Sequence, residues 1–282
     1  MLMIGLLVFT PAYAGVGMLG GGESLYNSNL SLSAGNSHWD GQRLRIPSVC
    51  KRRNASLTQG YEYGYSYFHT VFANVSFAYR HCGQDVAKGV ATLAGQAAGL
   101  GDVQLGVRTR LNHRSTAAWD VSLTIPTGYD NNSPSSLGRG ALGLALGLRF
   151  SSDGKVNRKS SWGWKLGSTF TYFFSSKGHS ISSFAAVNYA FTESNFEQTG
   201  NFASFRISNS FGFSNNGVQR VLFFNQIQRS LTNSDVTAVS LAYSHAFKNG
   251  WSTNARIGRA LFGRNAPVDY TAGWGVSYRW KD

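Results

Sequence analysis

"DYTAGWGVSYRWKD", residues 269–282, closes the chain. From Tyr270 to Trp280 every second residue is apolar or aromatic: Tyr270, Ala272, Trp274, Val276, Tyr278 and Trp280. Between them stand Thr271, Gly273, Gly275, Ser277 and Arg279. A period of two belongs to a β-strand, whose side chains alternate between faces, and not to a helix. In a soluble sandwich the apolar face would enter the core and the polar face would meet water. In a membrane barrel the apolar face meets lipid, and the small polar face lines the lumen. One strand fits both, so the decision falls to the rest of the chain.

The same pattern recurs. "ALGLALGLRF" (141–150) sets Leu142, Leu144, Leu146, Leu148 and Phe150 against Gly143, Ala145, Gly147 and Arg149. "SWGWKLGSTFTYFF" (161–174) sets Trp162, Trp164, Leu166, Phe170 and Tyr172 against Gly163, Lys165, Gly167 and Thr169. From Asp102 to Leu111, Val103, Leu105, Val107 and Leu111 share a face opposite Gln104, Gly106, Arg108 and Arg110. In Trp119 to Ile125 the apolar face is Trp119, Val121, Leu123 and Ile125. Less clean alternation spans Leu25–Asn36, Asn54–Tyr65, Thr70–Arg80, Ile181–Phe191, Phe202–Phe213, Val218–Gln228, Val236–Phe247 and Trp251–Ala260. Turn chemistry separates them: "SSDGK" (151–155), "SNNG" (214–217) and "KNG" (248–250).

These make about 13 segments, whereas bacterial single-chain barrels have an even number of antiparallel strands. The expected architecture is therefore an all-β, antiparallel transmembrane β-barrel of about 12 strands, with about 14 as the alternative. The weak first segment and the stretch 174–213, where one long strand could read as two, are the suspects. The repeated glycines on the polar face favour the barrel over an extracellular soluble β domain. Glycine relieves crowding on a concave wall, where a sandwich would pack bulky side chains.

Composition agrees. Charged residues are 14%, against about 25% in ordinary soluble domains. Aromatics are 14%, with 33 glycines and 5 prolines. The net charge is +13, from 26 Lys+Arg and 13 Asp+Glu. Such a balance suits nucleic acid, anionic lipid or an anion-attracting pore. The basic residues are spread out, and their two clusters, Lys51–Arg53 and Lys155–Lys159, fall in predicted loops without any recognition helix. No nucleic-acid partner is expected.

The opening "MLMIGLLVFTPAYAGVG" reads as a signal peptide over residues 1–14, cut after Ala14 of the A-x-A site. Residues 15–282 then form a single barrel domain. No later apolar run reaches the ~18 residues of a membrane helix. An exported membrane protein without one must be a closed barrel, since lipid offers no partner to an open sheet edge.

Catalytic and metal chemistry is not apparent in the sequence. His38, His69, His81, His113, His179 and His245 lack ligand spacing such as H-E-x-x-H. The glycines of "GQAAGLGD" (95–102) lack a nucleotide-binding follow-on. Within "YSHAF" (243–247), Ser244 and His245 are adjacent on a strand, so they face opposite sides and cannot form a nucleophile–base pair. No cofactor, metal or catalytic residue is expected, and the protein reads as no enzyme.

Parity assigns Arg108, Arg110, Arg149, Lys165, Arg206, Arg256 and Arg279 to the lumen, with Glu62, Asp102 and Asp120. They either form a basic, anion-favouring pore or fill a narrow barrel with ion pairs. Arg108 and Arg110, on the cleanest strand, are the natural test of that pore. The stretch Gly83–Gly101 reads as a long loop that either constricts the lumen or covers the rim. Lys51–Arg53, on the outer side, reads as a contact for lipopolysaccharide phosphates or as a solvated loop.

Export permits a disulfide between Cys50 and Cys82, the only cysteines. A hairpin of Asn54–Tyr65 and Thr70–Arg80 turning near Ser66 pairs positions that sum to about 132, which places those two opposite one another.

Several stretches resemble the outer-membrane barrels typed by the "MetA-pathway of phenol degradation" proteins. They are "HWDGQRLRIP" (38–47), "GLGDVQLGVRTRL" (99–111), "IPTGYD" (125–130), "FGRNA" (262–266) and "GVSYRW" (275–280). The resemblance covers most of the mature chain and is carried by order and spacing. It implies a Gram-negative outer-membrane location and passage of small, often aromatic, compounds. The chain departs from the pattern in a longer 174–213 stretch and in Lys281 and Asp282 beyond the final aromatic. Expected partners are outer-membrane lipid and lipopolysaccharide, the barrel-assembly machinery and a small-molecule solute. The expected function is a passive channel or importer; the alternative is a structural or lipid-binding barrel with a plugged lumen.

Overall fold

The computed structural model describes residues 18–84, 95–111, 116–127, 137, 140–152, 162–174, 179–191, 200–213, 219–223, 226–230 and 234–281. The signal-peptide stretch 1–14, the Lys155–Lys159 cluster, the turn at 214–217 and most of the turn at 151–155 lie outside the described residues.

The strands are β1 (Glu23–Trp39), β2 (Arg45–Gly64), β3 (His69–Gln84), β4 (Gly95–Arg110), β5 (Ala117–Ile125), β6 (Gly143–Ser151) and β7 (Trp162–Phe173). They continue as β8 (His179–Ala190), β9 (Gly200–Phe213), β10 (Gln219–Phe223), β11 (Gln226–Ser230), β12 (Ser234–Ala246), β13 (Trp251–Arg264) and β14 (Ala266–Lys281). Twelve of them close into one antiparallel barrel, in which β1 pairs with both β2 and β14 and β9 pairs directly with β12. The expected fold class and strand number hold.

The surplus thirteenth segment was neither suspect. The weak first segment is β1, a barrel strand. The stretch 174–213 is truly two strands, β8 and β9. Val218–Gln228 is the outlier. It forms β10 and β11, a separate two-stranded sheet on the connection between β9 and β12. A short hairpin alternates as a barrel strand does, so period alone cannot tell them apart.

The start of β1 and the end of β14 lie at the same end of the barrel, where Glu23 pairs with Lys281. Short connections lie there, at 65–68 and 247–250. In the second, Gly250 adopts φ +84, which a residue with a Cβ would resist. The opposite end carries the longer connections 126–142 and 214–233. Short turns are periplasmic and long loops extracellular in such barrels, which orients this one.

The outer wall is apolar. Leu142, Leu144, Leu146, Leu148 and Phe150 are exposed, as are Trp162, Trp164, Leu166, Phe170 and Tyr172 beside them. So much contiguous apolar surface is untenable in water and natural against lipid. At the periplasmic end, register aligns Trp251, Tyr278, Tyr26 and Tyr61 as an aromatic girdle. The inner wall is small and polar. Gly60 sits between Asn27 and Asn74, each with an amide atom 2.6 Å from where a Cβ would stand.

Three local readings change. Lys51–Arg53 is not a loop but part of β2, with Arg52 inward and buried while Lys51 and Arg53 face out. Gly83–Gly101 is strand at both ends: β3 runs to Gln84 and β4 begins at Gly95, and 85–94 lie outside the described residues. Small residues have low strand propensity, yet tall neighbouring strands supply the ladder. The β2–β3 register is also offset by two from the expected one, since the connection centres on Tyr67. Arg52 faces Cys82, and Cys50 faces Gln84.

Cys82 is disulfide-bonded, and the only other cysteine in the chain is Cys50. Cys50's side chain lies outside the described residues, but its backbone is two positions from Cys82's partner. A bridge between them would staple the extracellular end of this hairpin. Non-reduced, denatured protein is therefore expected to take up no thiol label. Labelling of both cysteines would contradict the bridge.

Candidate functional site

The alternation that faces leucine and tryptophan to lipid turns the intervening residues inward. In the periplasmic half of the barrel this brings together Arg108 on β4, Arg149 on β6, Lys165 on β7, Arg206 on β9 and Arg256 on β13. Glu62 on β2 and Asp120 on β5 join them. Five cations thus face two carboxylates in one band of the inner wall.

Arg108 and Arg149 are bridged to carboxylates. Arg108 Nη1 donates to Glu62 Oε2 at 3.1 Å, and Arg149 Nε donates to Asp120 Oδ1 at 2.7 Å. Gly147 makes room for the second bridge: a Cβ there would stand 2.5 Å from Asp120 Oδ2. The Arg108 guanidinium also lies 5.4 Å from the Phe72 ring centroid.

The other three take a different form. Lys165 faces Ala186, which faces Arg206, so the two cations share a register row two strands apart. That is about 10 Å between backbones. Lys165 lies within electrostatic range of Arg149, Arg206 and Arg108. The Arg206 guanidinium lies 4.0 Å from the centre of the Phe184 ring. Arg206 Nε is buried, and its hydrogen finds no acceptor among the described residues. Arg256, buried, adds its charge near Arg206.

The remaining sequence candidates sit toward the ends. Arg110 is at the periplasmic end of β4, stacked 4.1 Å from the centre of the Tyr67 ring. Arg279 is beside it in height, bridged to Glu23. Asp102 falls in the register shift between β3 and β4, so strict parity does not apply to it. Ser244 and His245 lie on β12 with opposite parity. His245 Nδ1 is 2.6 Å from Asn201 Oδ1, and its ring packs edge-on against Phe247 at 4.3 Å.

Sequence reasoning missed what occupies the two mouths. At the periplasmic mouth, Leu19 is buried and its N–H donates to Thr70 Oγ1 at 3.1 Å; the Gly20 N–H donates to Glu23 Oε2 at 2.7 Å. At the extracellular mouth, Trp39, Ala260, Ala266 and Val268 form an apolar cluster with Val236 packed against it. Arg52 Nη2 bridges to Asp269 Oδ1 at 3.1 Å across the β1 strand. Leu137, from the connection between β5 and β6, covers Gly99 and Gly101. Partners more than two hundred residues apart leave no local signal in the sequence.

No protein-family model matches the chain, and no curated protein matches it. Solved structures do. The chain is similar to the COG4313 outer membrane channel from Pseudomonas putida F1, with a TM-score of 0.71 and 16% identity over 93% of this chain and 97% of that one. It is similar to the β domain of the Bordetella autotransporter BrkA, with a TM-score of 0.55 and 11% identity over 92% and 100%. LpxR from Salmonella typhimurium gives a TM-score of 0.53 and 8% identity over 89% and 99%. Such identities establish the fold. The chain is a β-barrel of the bacterial outer-membrane kind.

Proposed function

We propose that this barrel is a channel for passive passage of small molecules across the outer membrane, with a preference for anions. The observation that carries this reading is the band of the lumen wall where Arg108, Arg149, Lys165, Arg206 and Arg256 gather with Glu62 and Asp120, five cations to two carboxylates among the described residues. Fixed positive charge in a narrow, low-dielectric passage concentrates anions and repels cations. Twelve strands also suit a passage. Barrels of about 8 strands are filled by their own side chains, and those of about 16 leave a wide aqueous channel.

Arginines stacked on inward rings refine the solute. Arg108 with Phe72, Arg206 with Phe184 and Arg110 with Tyr67 alternate cation and π-face along the wall. A small aromatic carboxylate has both groups to match. The motif resemblance to the phenol-degradation group and the fold likeness to an outer membrane channel support the same reading.

The competing reading is a structural barrel with a closed lumen. The apolar cluster around Trp39 and the buried Leu19 favour it, since both occupy the mouths. Refolded protein in planar bilayers separates the two. The channel reading expects stepwise single-channel currents; silence at every voltage favours the closed barrel.

A further inference from the structure

The outer wall carries an exception to its apolar character. Lys51 and Arg53 on β2 and Arg259 on β13 face outward and are exposed. Backbone register places Arg259, Tyr270, Ala34 and Arg53 in one row across β13, β14, β1 and β2, and His81 on β3 extends it.

The depth of this row can be read from the chain. The periplasmic aromatic girdle on these same strands is the row Trp251, Tyr278, Tyr26 and Tyr61. Each member of the cationic row stands eight residues along its strand from its counterpart there, as Arg259 does from Trp251 and Arg53 from Tyr61. Eight residues of strand rise about 27 Å, and a tilt near 40° reduces this to about 21 Å of height. The apolar band of such barrels is about 25 Å tall. The same tilt offsets Arg53 and Arg259 by about 9 Å in height, so the pair straddles the outer-leaflet interface in the zone of the lipid phosphates.

Among the described residues no carboxylate bridges to Lys51, Arg53 or Arg259. The nearby carboxylates are engaged elsewhere: Asp269 by Arg52, and Asp235 by Arg43 and Arg264. Arg259 lies 4.9 Å from the Tyr270 ring centroid, which braces its guanidinium against the wall. Between the two arginines Ala34 is small and exposed, so the wall there forms a shallow seat. Three strand spacings, about 14 Å, separate Arg53 from Arg259.

We propose that Arg53, Arg259 and Lys51 form a lipid site on the outer wall that holds a bisphosphorylated glycolipid of the outer leaflet, one phosphate at each arginine. Guanidinium pairs with phosphate in a two-pronged, charge-assisted geometry, and at this depth the competing water is sparse. Acyl chains would run down the leucine and tyrosine face of β14, β1 and β2, and the sugars would rest over Ala34. The site lies outside the lumen and is independent of whether the barrel conducts.

The test uses the full-length barrel in detergent, with native mass spectrometry reading bound lipid. The probes are bisphosphorylated lipid A, the same lipid with both phosphates removed, and phosphatidylglycerol. Bisphosphorylated lipid A is expected to be retained most strongly. Arg53→Gln with Arg259→Gln is expected to weaken it about thirtyfold, as loss of two interfacial cations implies. Each single substitution should weaken retention by part of this factor, and Arg53→Lys with Arg259→Lys should bind more tightly than the glutamine pair but more weakly than the unaltered protein. Fast migration of unboiled protein on gels checks that each variant is folded; if the double variant is not, the single variants carry the comparison. Retention of the dephosphorylated lipid as strongly as the phosphorylated one would overturn the proposal. So would phosphatidylglycerol binding as tightly, or lipid A binding that ignores the glutamine variants.

Discussion

Glu62→Gln is expected to destabilise the barrel by about 3 kcal/mol, the lower end of the cost of breaking a buried ion pair. Glu62 receives Arg108 Nη1 at 3.1 Å, and the Arg108 side chain is only 2% exposed. Gln keeps the size and one acceptor oxygen but removes the charge that offsets the guanidinium's desolvation. The loss should appear as a lower temperature at which unboiled protein leaves its fast-migrating folded form on gels. Pairing the change with Arg108→Met removes the stranded charge, so the double variant should regain most of the stability. Equal melting of Glu62→Gln and the unaltered protein would mean that the bridge contributes little.

Arg206→Gln with Arg256→Gln is expected to lower the anion-to-cation permeability ratio by about three- to tenfold. An anion about 6 Å from a fixed cation gains about 0.7 kcal/mol at the dielectric of water and about 2.8 kcal/mol at that of a protein surface. Salt screening keeps the effect near the lower figure. Arg206 is held by a ring rather than a carboxylate, so its field is not cancelled locally. Arg108 is a weaker choice than its clean strand suggests, because Glu62 answers its charge. Reversal potentials in a salt gradient read the ratio directly. A ratio unmoved by the double variant would place the selectivity elsewhere.

The barrel was legible because lipid enforces the strand period. Where the wall meets lipid, as in Leu142 to Phe150, every second residue must be apolar, and the alternation is unbroken. Above the apolar band that pressure ends. The upper parts of β2, β3 and β4 carry Arg52, Gly83 and Gly95–Gly101 without alternation, so they read as loops although they are strands. Val218–Gln228 shows the converse error, since local alternation does not reveal which sheet a strand joins.

The inward cations were legible by the same parity, but not their partners. Arg149 meets Asp120 only because β5 and β6 are neighbours in the right register, which the sequence hints at. Arg52 meets Asp269 because the barrel closes the first strands against the last. Closure also brings Trp39 against Val268 and Ala266 at the extracellular mouth. Asp102 escaped parity because a register shift falls beside it. Pairing, register shifts and closure are long-range properties, so the composition of the lumen could be read while its wiring could not.

The reversal potential of the unaltered barrel in a planar bilayer, with unequal potassium chloride on its two sides, tests the account most directly. In the band of Arg108, Arg149, Lys165, Arg206 and Arg256 the described cations outnumber Glu62 and Asp120, which fixes the sign in advance. Currents should appear in discrete steps, and their reversal potential should lie toward the chloride equilibrium potential. A reversal potential toward that of potassium, or no current at any voltage, would contradict an anion-favouring channel.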